Sequence, residues 1–289
     1  MPTRDNTTIN YLGAQVPNPF KGLAPPGTSL NTNSTIARSS LLTPYPLFTG
    51  ITYNTQQGYN MYNSLQVHAE RRFANGFTGT FVFTWQNDME ATSFLNAGDP
   101  VPEKLPATTD FPVYFSASGI YSLPIGRGRM LLGNSSKIVN ALLGGWQIEG
   151  VYRYQSGPPL GFGDALLNGT CPTLASIALP ADQRTYLKWF NTSCFNTVSS
   201  QQLANNLITL PARFSYIRGM PLSVADLSGI KKFKISERVS VEMRWEFLNA
   251  FNHVWLGAPN TSPTSGAFGQ TGTEQSSPRR VYWSGHITF

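Results

Sequence analysis

Seven segments of the chain alternate apolar and polar residues, a period of two that is typical of β-strands with one apolar side. The most regular segment is 239–247, where Val, Val, Met, Trp and Phe alternate with Ser, Glu, Arg and Glu. All seven are residues 62–73, 77–85, 113–123, 146–156, 223–233, 239–247 and 281–289. The pattern predicts an all-β protein whose strands each have one apolar and one polar face.

The connections between these segments alternate in length. Residues 74–76 and 234–238 are short connections, whereas 86–110, 157–222 and 252–277 are long. Outer-membrane barrels have short periplasmic turns and long extracellular loops. We therefore expect residues 59–289 to form about seven strands of a larger antiparallel, up-and-down transmembrane β-barrel, with residues 1–58 as an extracellular loop region.

One connection departs from this alternation. Residues 124–145 lie on the short-turn side, yet they are long, with a turn-like Ile-Gly-Arg-Gly-Arg run. Their apolar stretch at 138–143 predicts a brief helix. Counted from the Asn75-Gly76 hairpin, the final residue Phe289 falls on the short-turn side, as a barrel requires.

The composition fits a membrane barrel. Charged residues make up only 12% of the chain, against about a quarter in ordinary soluble domains. The chain contains no run of roughly 18 apolar residues, so the sequence predicts no transmembrane helix. The net charge of +6 is scattered, so we expect no nucleic-acid partner. The N-terminus lacks the apolar core of a signal peptide, and we expect an exported, longer protein of which this is the C-terminal part.

Two basic residues, Arg71 and Lys231, fall on the apolar sets of their strands. Both lie near a strand end, where a lipid-facing charge costs roughly 0–1 kcal/mol and a long stem can carry the charge to water. We expect both side chains to reach water in this way.

Charged residues concentrate on the polar sets, where a water-filled lumen would accommodate them. They are Glu70, Arg72, Glu149, Arg153, Glu242, Arg244 and Glu246. In one interpretation they line the lumen and hold a plug or guide a substrate. In the other they satisfy each other across adjacent strands and only stabilise a polar interior. The sequence leaves both open.

The long loops contain two cysteines and several aromatic residues. Cys171 and Cys194 share the longest loop, which in an exported protein favours a disulfide over two free thiols. Such a bridge would stabilise the loop by roughly 3 kcal/mol in the chain-entropy model. We expect exposed loop aromatics to make the first substrate contact with sugars or apolar peptides: Phe48, Tyr53, Phe94, Trp189, Phe190 and Trp255.

Signatures of catalysis are missing. The chain has no G-x-S-x-G elbow, no P-loop and no H-E-x-x-H motif. The three histidines, His68, His253 and His286, lie far apart in sequence, so we expect no metal site and no cofactor. The chain is therefore predicted not to be an enzyme.

Several stretches resemble the C-terminal barrel of TonB-dependent outer-membrane receptors of the Oar-like group, which carry a carboxypeptidase-regulatory-like N-terminal domain. These stretches are residues 16–20, 41–48, 62–67, 70–73, 226–228, 232–235 and 246–253, and the terminal Phe289. The resemblance implies a 22-stranded barrel in the cell outer membrane, surrounded by lipid, that takes up a substrate the sequence does not identify.

The same resemblance implies two partners. Family members contact TonB through an N-terminal plug region, which these residues do not include. The barrel-assembly machinery would recognise the terminal signal at Tyr282, Ile287 and Phe289. The signal departs from the family pattern, because its usual glycine would fall at Ser284 and Gly285 stands one place later.

Two other functions fit the pattern. A small self-contained outer-membrane barrel could act as a porin or adhesin, with its loops dominating function. A soluble, secreted β-sandwich that binds glycans would also alternate apolar and polar residues. Membrane extraction separates them, because a sandwich washes free in carbonate whereas a barrel needs detergent.

Overall fold

A small unit of short elements forms the N-terminal part of the chain. The structure, a computed structural model, describes residues 5–48, 56–96, 98–202, 208–236 and 238–289. The elements of the unit are α1 (Asn6–Gly13), β1 (Gln15–Pro17), α2 (Ser29–Thr32), β2 (Thr35–Ala37) and α3 (Arg38–Leu41). Strands β1 and β2 pair antiparallel, and the side-chain amide of Asn18 donates to the carbonyls of Leu30 and Asn33 at 2.7 and 2.9 Å. The extracellular placement of residues 1–58 stays a prediction.

The rest of the chain contains one large antiparallel sheet. Its elements and those of its connections are β3 (Tyr59–Ala74), β4 (Phe77–Ala91), β5 (Leu105–Pro106), β6 (Val113–Ser122), α4 (Lys137–Leu143), β7 (Trp146–Gln155), β8 (Pro159–Leu160), β9 (Phe214–Arg218), β10 (Leu222–Lys234), β11 (Ser240–Leu248) and β12 (Arg280–Thr288). The sheet order is β12-β11-β10-β7-β6-β4-β3, with β5 added beside β4. The seven predicted strands and the short helix are confirmed. The sheet is open, with β3 and β12 as its edges.

The register of the sheet places every apolar set on one face, the apolar face, and every polar set on the other, the polar face. In the centre, Ser228 of β10 lies opposite Glu149 of β7 and Glu246 of β11. The apolar face stays largely uncovered: Trp85 is 61% exposed and Trp283 is 71% exposed. Contiguous exposed apolar surface of this extent is typical of a membrane or protein contact.

Aromatic rings pack along the apolar face. Phe115 lies between Phe81 and Tyr152, with ring centroids 5.0 and 5.6 Å apart. A row of glycines makes room for the Phe77 ring, because an added Cβ at Gly79 would stand 2.7 Å from its Cζ atom. Gly119 continues this row on the neighbouring strand. The rings and glycines leave a shallow trough of about 660 Å³ on the apolar face.

The hairpin between β3 and β4 turns on two residues with positive φ. Asn75 has φ 55° and Gly76 has φ 83°. Positive φ at both central residues defines a type I′ turn, whose twist matches that of the paired strands. The tight turn that Asn75-Gly76 predicts is thus confirmed. It pairs Ala74 with Phe77, and a register shift between Arg71 and Ala74 separates this pair from the rest of the hairpin.

Lys231 does not reach water, and the expectation that it would is wrong. Its side chain is only 2% exposed, and its Nζ donates to the Gly144 carbonyl. The ammonium also lies 5.0 Å from the Phe233 ring centroid and 5.7 Å from that of Trp146. The carbonyl of Gly144, directly after the end of α4, supplies the acceptor. Arg71 remains exposed, 5.9 Å from the Phe77 ring.

The largest cluster of buried apolar residues lies outside the sheet. It consists of Leu160, Phe162, Ala165, Ile177, Phe190, Cys194, Phe195, Leu210, Phe214 and Ile217, all in the β7–β10 connection. The sheet therefore has no core of its own in the described part of the chain. Among the helices there, none combines the length and apolarity needed to cross a membrane.

Replacing Gly76 by Ala should weaken the first hairpin. The left-handed conformation costs a non-glycine residue roughly 1–2 kcal/mol, and the new Cβ would stand 2.9 Å from the Ser122 carbonyl oxygen. Gly128→Ala is the matched control, since Gly128 also has positive φ (69°) but an added Cβ meets nothing within 4 Å. Urea unfolding in detergent, followed by tryptophan fluorescence, should give a lower midpoint for Gly76→Ala. Because both variants carry the cost of a positive φ, the difference in midpoint reports the contact with the Ser122 carbonyl, and equal midpoints would contradict a role for that contact.

Candidate functional site

Arg244 lies at the centre of a charged cluster on the polar face. Its guanidinium is 3.3 Å from a carboxylate oxygen of Glu149, 3.5 Å from one of Glu242 and 3.6 Å from one of Glu246. Lys232 adds a second contact to Glu242 at 3.2 Å. Three carboxylates thus share two cations across β7, β10 and β11. Because these side chains are about one-third exposed, with Lys232 more so, the cluster can exchange partners with a passing polar group.

The other predicted polar-face charges do not join this cluster. Arg153 pairs with Asp226 of β10 at 3.8 Å and not with Glu149. Residues four apart on one strand are roughly 13 Å apart, too far for an ion pair. Glu70 and Arg72 of β3 form no salt bridge with any described residue. Glu70 lies opposite Thr80 of β4, and Arg72 lies within the register shift between Arg71 and Ala74. Of the seven predicted charges, three carboxylates and one arginine form the cluster. The other three, Glu70, Arg72 and Arg153, lie apart from it.

A folded cap covers the loop end of the sheet, and we define it as residues 92–112, 156–221 and 249–279. Its centre is the buried cluster of the β7–β10 connection, where Phe162 packs on Phe190, Phe195 and Phe214 with centroids 4.8, 4.7 and 5.7 Å apart. A disulfide joins Cys171 to Cys194 beside these rings. Strands β8 and β9 pair at its edge. The longest loop is therefore a packed structure.

Two arginines fasten this part of the cap to the β4–β6 loop. Arg218 forms an ion pair with Asp110, and its guanidinium also donates to the Asp110 carbonyl at 2.6 Å. Arg213 forms an ion pair with Glu90 and donates to the Pro106 carbonyl at 2.7 Å. The side chain of Asp110 is 4% exposed and that of Arg218 is 14% exposed, so this pair is largely desolvated.

The β11–β12 loop packs against the same structure. The backbone N–H of Trp189 donates to the Gly269 carbonyl of this loop at 2.9 Å. The indole N–H of Trp189 donates to the backbone carbonyl of Arg218 at 2.7 Å. Phe268 packs against Phe190 in an edge-to-face contact, with ring centroids 5.3 Å apart. The indole of Trp255 donates to the Met220 carbonyl at 3.3 Å. All three long loops thus form one unit.

The cap changes the interpretation of the loop aromatics. Phe190 is fully buried, so the prediction that it is exposed for substrate contact is wrong. Trp189 and Trp255 are partly buried and hold the loops together through their indole groups. The remaining predicted residues include Phe48 and Phe94, 62% and 39% exposed. Tyr53 lies outside the described residues.

Other exposed residues of the cap were missed by the sequence reasoning. Tyr186 is 64% exposed and Tyr216 is 46% exposed, and both lie between residues of the buried cluster in sequence. Desolvation raises the pKa of the Tyr216 phenol. No sequence signal separates these tyrosines from Phe190, since loop aromatics follow no period.

An open cleft of about 880 Å³ lies where β3 meets the β4–β6 loop. Tyr59 and Val101 supply apolar surface, and Asp99, Glu103 and Lys104 supply charges. Glu103 also accepts from the backbone N–H of Ala212 at 3.2 Å, so the cleft is continuous with the rest of the cap. Apolar walls with a few convergent polar groups are typical of ligand sites.

The predicted assembly residues lie on the β12 edge. Tyr282 is on the polar face opposite Glu246, and Ile287 is on the apolar face opposite Val241. Phe289 follows the strand and is 96% exposed.

Metal binding finds no support in the described residues, where no three His, Cys, Asp or Glu side chains stand close enough to hold an ion.

Replacing Arg218 by Ala should loosen the cap. Removal of one partner of a largely buried pair costs about 3–5 kcal/mol, because the other charge is left unpaired. Hydrogen exchange in peptides covering β9 should then accelerate by at least about a hundredfold. Arg153→Ala is the control, since its pair with Asp226 is exposed and worth roughly 0–1 kcal/mol. Unchanged exchange in Arg218→Ala would show that this pair does not fasten the cap.

Comparison with known proteins agrees with this architecture. A family model described as an outer membrane beta barrel domain matches residues 3–282 of the chain. No curated protein matches the chain. The matched span contains the charged cluster, the cap and almost the whole sheet. The chain therefore belongs to the outer membrane beta barrel domain family and is a protein of the outer membrane.

Proposed function

We propose that this chain is the C-terminal barrel part of a TonB-dependent outer-membrane receptor of the Oar-like group. Its cap makes the first contact with the substrate, and its polar face lines the lumen through which the substrate passes. The chain performs no catalysis and needs no cofactor. TonB acts through a plug region that these residues do not contain, and the barrel-assembly machinery inserts the strands into the lipid.

The direction of the edge strands carries this proposal. Both β3 and β12 run from the cap toward the turn side. They are the first and last of seven strands, each antiparallel to the next, so the two edge strands point in the same direction. Direct closure of β3 on β12 would create a parallel pair. Bacterial single-chain barrels are antiparallel throughout and have an even number of strands. An antiparallel barrel that includes this sheet therefore needs an odd number of further strands. In the described N-terminal part, β1 and β2 have three residues each, too few for a membrane-spanning strand, which favours a larger receptor over a self-contained porin or adhesin.

The charged cluster supports a lumen that holds a plug. Its two cations, Arg244 and Lys232, face three carboxylates, so the cluster has a formal charge of −1. Such a site can hold a basic side chain of a plug by exchange of one carboxylate. An open pore would need only a polar wall, and threonine and serine already supply it on β4 and β6.

The cap supports substrate recognition. Its three loops are joined by buried rings, a disulfide and the Arg218–Asp110 pair, so its surface is held in one arrangement before a ligand arrives. Preorganisation reduces the entropy lost on binding. The cleft beside Tyr59 and the exposed Tyr186 and Tyr216 are the surfaces we assign to this first contact. Their mixed apolar and polar character suits a sugar or a peptide.

Gene disruption in the producing bacterium tests the proposal. Uptake of labelled maltooligosaccharides, peptides and iron chelates should be compared in strains that lack this gene or lack TonB. The proposal expects at least one compound whose uptake is lost in both strains and restored by the full-length gene. Uptake that requires this gene but continues without TonB would contradict the receptor and favour a porin.

The double variant Arg244→Ala/Glu246→Ala separates the two interpretations of the polar-face charges. If the cluster holds the plug or guides the substrate, full-length protein should reach the outer membrane in normal amounts but lose at least about tenfold in uptake, roughly the effect of one charge-assisted hydrogen bond. Arg238→Ala, in the β10–β11 turn, is the control for loss of one arginine. Reduced assembly of the double variant, with proportional loss of uptake, would favour a purely structural cluster.

A further inference from the structure

The β6–β7 connection, residues 123–145, presents an unusual surface at the turn side of the sheet. Its helix α4 has Ile138 75% exposed and Leu142 64% exposed. Met130, in the preceding turn, is 80% exposed. A turn in water would bury such residues or replace them by polar ones. This apolar surface has no cover among the described residues.

The apolar side of α4 faces outward and its polar side faces inward, the reverse of a surface helix on a soluble protein. Asn140 faces the body of the connection, where its Oδ1 accepts the backbone N–H of Arg127 at 2.7 Å. Ile138 and Leu142 lie two residues on either side of Asn140, which at 100° per residue places them on the opposite face of the helix. The polar side chain thus points inward and the apolar side chains point outward.

Two side chains of the apolar face fix the end of α4. The indole of Trp146 donates to the Leu142 carbonyl at 3.1 Å, and Nζ of Lys231 donates to the Gly144 carbonyl. Trp146 and Lys231 are neighbours in the sheet register, on the face that meets lipid. The Trp245 ring stacks on Trp146 with centroids 5.4 Å apart, as in an aromatic belt at a membrane interface. The helix is therefore attached on the lipid side of the wall.

The charge of the connection complements an anionic surface. It contains three basic residues, Arg127, Arg129 and Lys137, and no acidic residue. All three are exposed, and none forms a salt bridge with a described residue. Short turns face the periplasm in this class of protein, so the connection lies at the level of the periplasmic leaflet. Basic side chains beside an inserted apolar face are typical of interfacial anchors.

We propose that the β6–β7 connection is an interfacial anchor that docks on the phospholipid surface of the periplasmic leaflet. Ile138, Leu142 and the neighbouring apolar residues enter the acyl-chain boundary. Arg127, Arg129 and Lys137 bind the phosphates of anionic headgroups. The clamp by Trp146 and Lys231 holds the helix against the wall at this depth, which accounts for a long connection on the short-turn side. The anchor depends on the membrane location of the chain and not on the receptor function.

Site-directed fluorescence tests the anchor in the full-length protein, reconstituted in vesicles of phosphatidylcholine and phosphatidylglycerol. The two cysteines of residues 1–289 form the disulfide, so Ile138→Cys provides a single thiol for a fluorescent label once any cysteine outside these residues is replaced by serine. Ala117→Cys and Ser118→Cys are the references, because they are neighbours on β6 that face the apolar and polar sides. Lipids with brominated chains quench a label in lipid, and iodide quenches a label in water.

The label at residue 138 should be quenched by brominated lipid as strongly as the label at residue 117, and should be protected from iodide. Brominated phosphatidylglycerol should quench it better than brominated phosphatidylcholine. Arg127→Gln/Arg129→Gln/Lys137→Gln should reduce this preference at least about fivefold, since each basic residue near an anionic surface contributes about that factor. Normal behaviour of the references in this variant establishes that the barrel is intact.

Three results would overturn the anchor. Iodide quenching at residue 138 as strong as at residue 118 would place the helix in water. Protection from both quenchers would mean that protein covers the helix. Equal quenching by the two brominated lipids, in protein that keeps all three basic residues, would show that the helix does not prefer anionic headgroups. In each case the references still report whether the sheet spans the membrane.

Discussion

The alternation of side chains between two environments is the constraint on which the structure depends. A sheet in hydrocarbon must satisfy its backbone hydrogen bonds between strands, because lipid offers no partner. Each strand then presents every second side chain to one face of the sheet and the others to the opposite face. The register from β3 to β12 keeps this assignment across seven strands, apart from one shift between Arg71 and Ala74 at the end of β3. Trp245 and Trp283 therefore pair on one face, and Glu246 and Tyr282 on the other. One slip by a single residue would reverse both faces of a strand.

The strands could be predicted from sequence because their signal is local. The period of two and the Asn75-Gly76 turn are visible within a few residues and are confirmed in the structure. Burial in the cap could not be predicted, because it depends on contacts between distant residues. Phe190 is buried by Phe268 of another loop, and Arg218 bonds a residue 108 positions away. Lys231 shows the same limit, since its acceptor belongs to the connection between two other strands.

The chain divides its stabilising interactions between two places. The cap has a buried aromatic cluster, a disulfide and desolvated ion pairs, much like a small exported domain. The sheet instead has hydrogen bonds between strands, aromatic contacts on its apolar face and the Arg244 cluster on its polar face. This division fits a wall that lipid covers on one side. It also leaves recognition to a rigid surface outside the membrane, where a ligand first arrives.

The central claim is that the two faces of this sheet meet lipid and water in the outer membrane. Single cysteines at residues 241 to 245 of β11, in outer membranes prepared from cells, would test it most directly. A charged, membrane-impermeant thiol reagent should modify positions 242 and 244 and leave 241, 243 and 245 protected until detergent is added. Modification of all five positions without detergent would contradict the account, because it would mean that both faces of the sheet are in water.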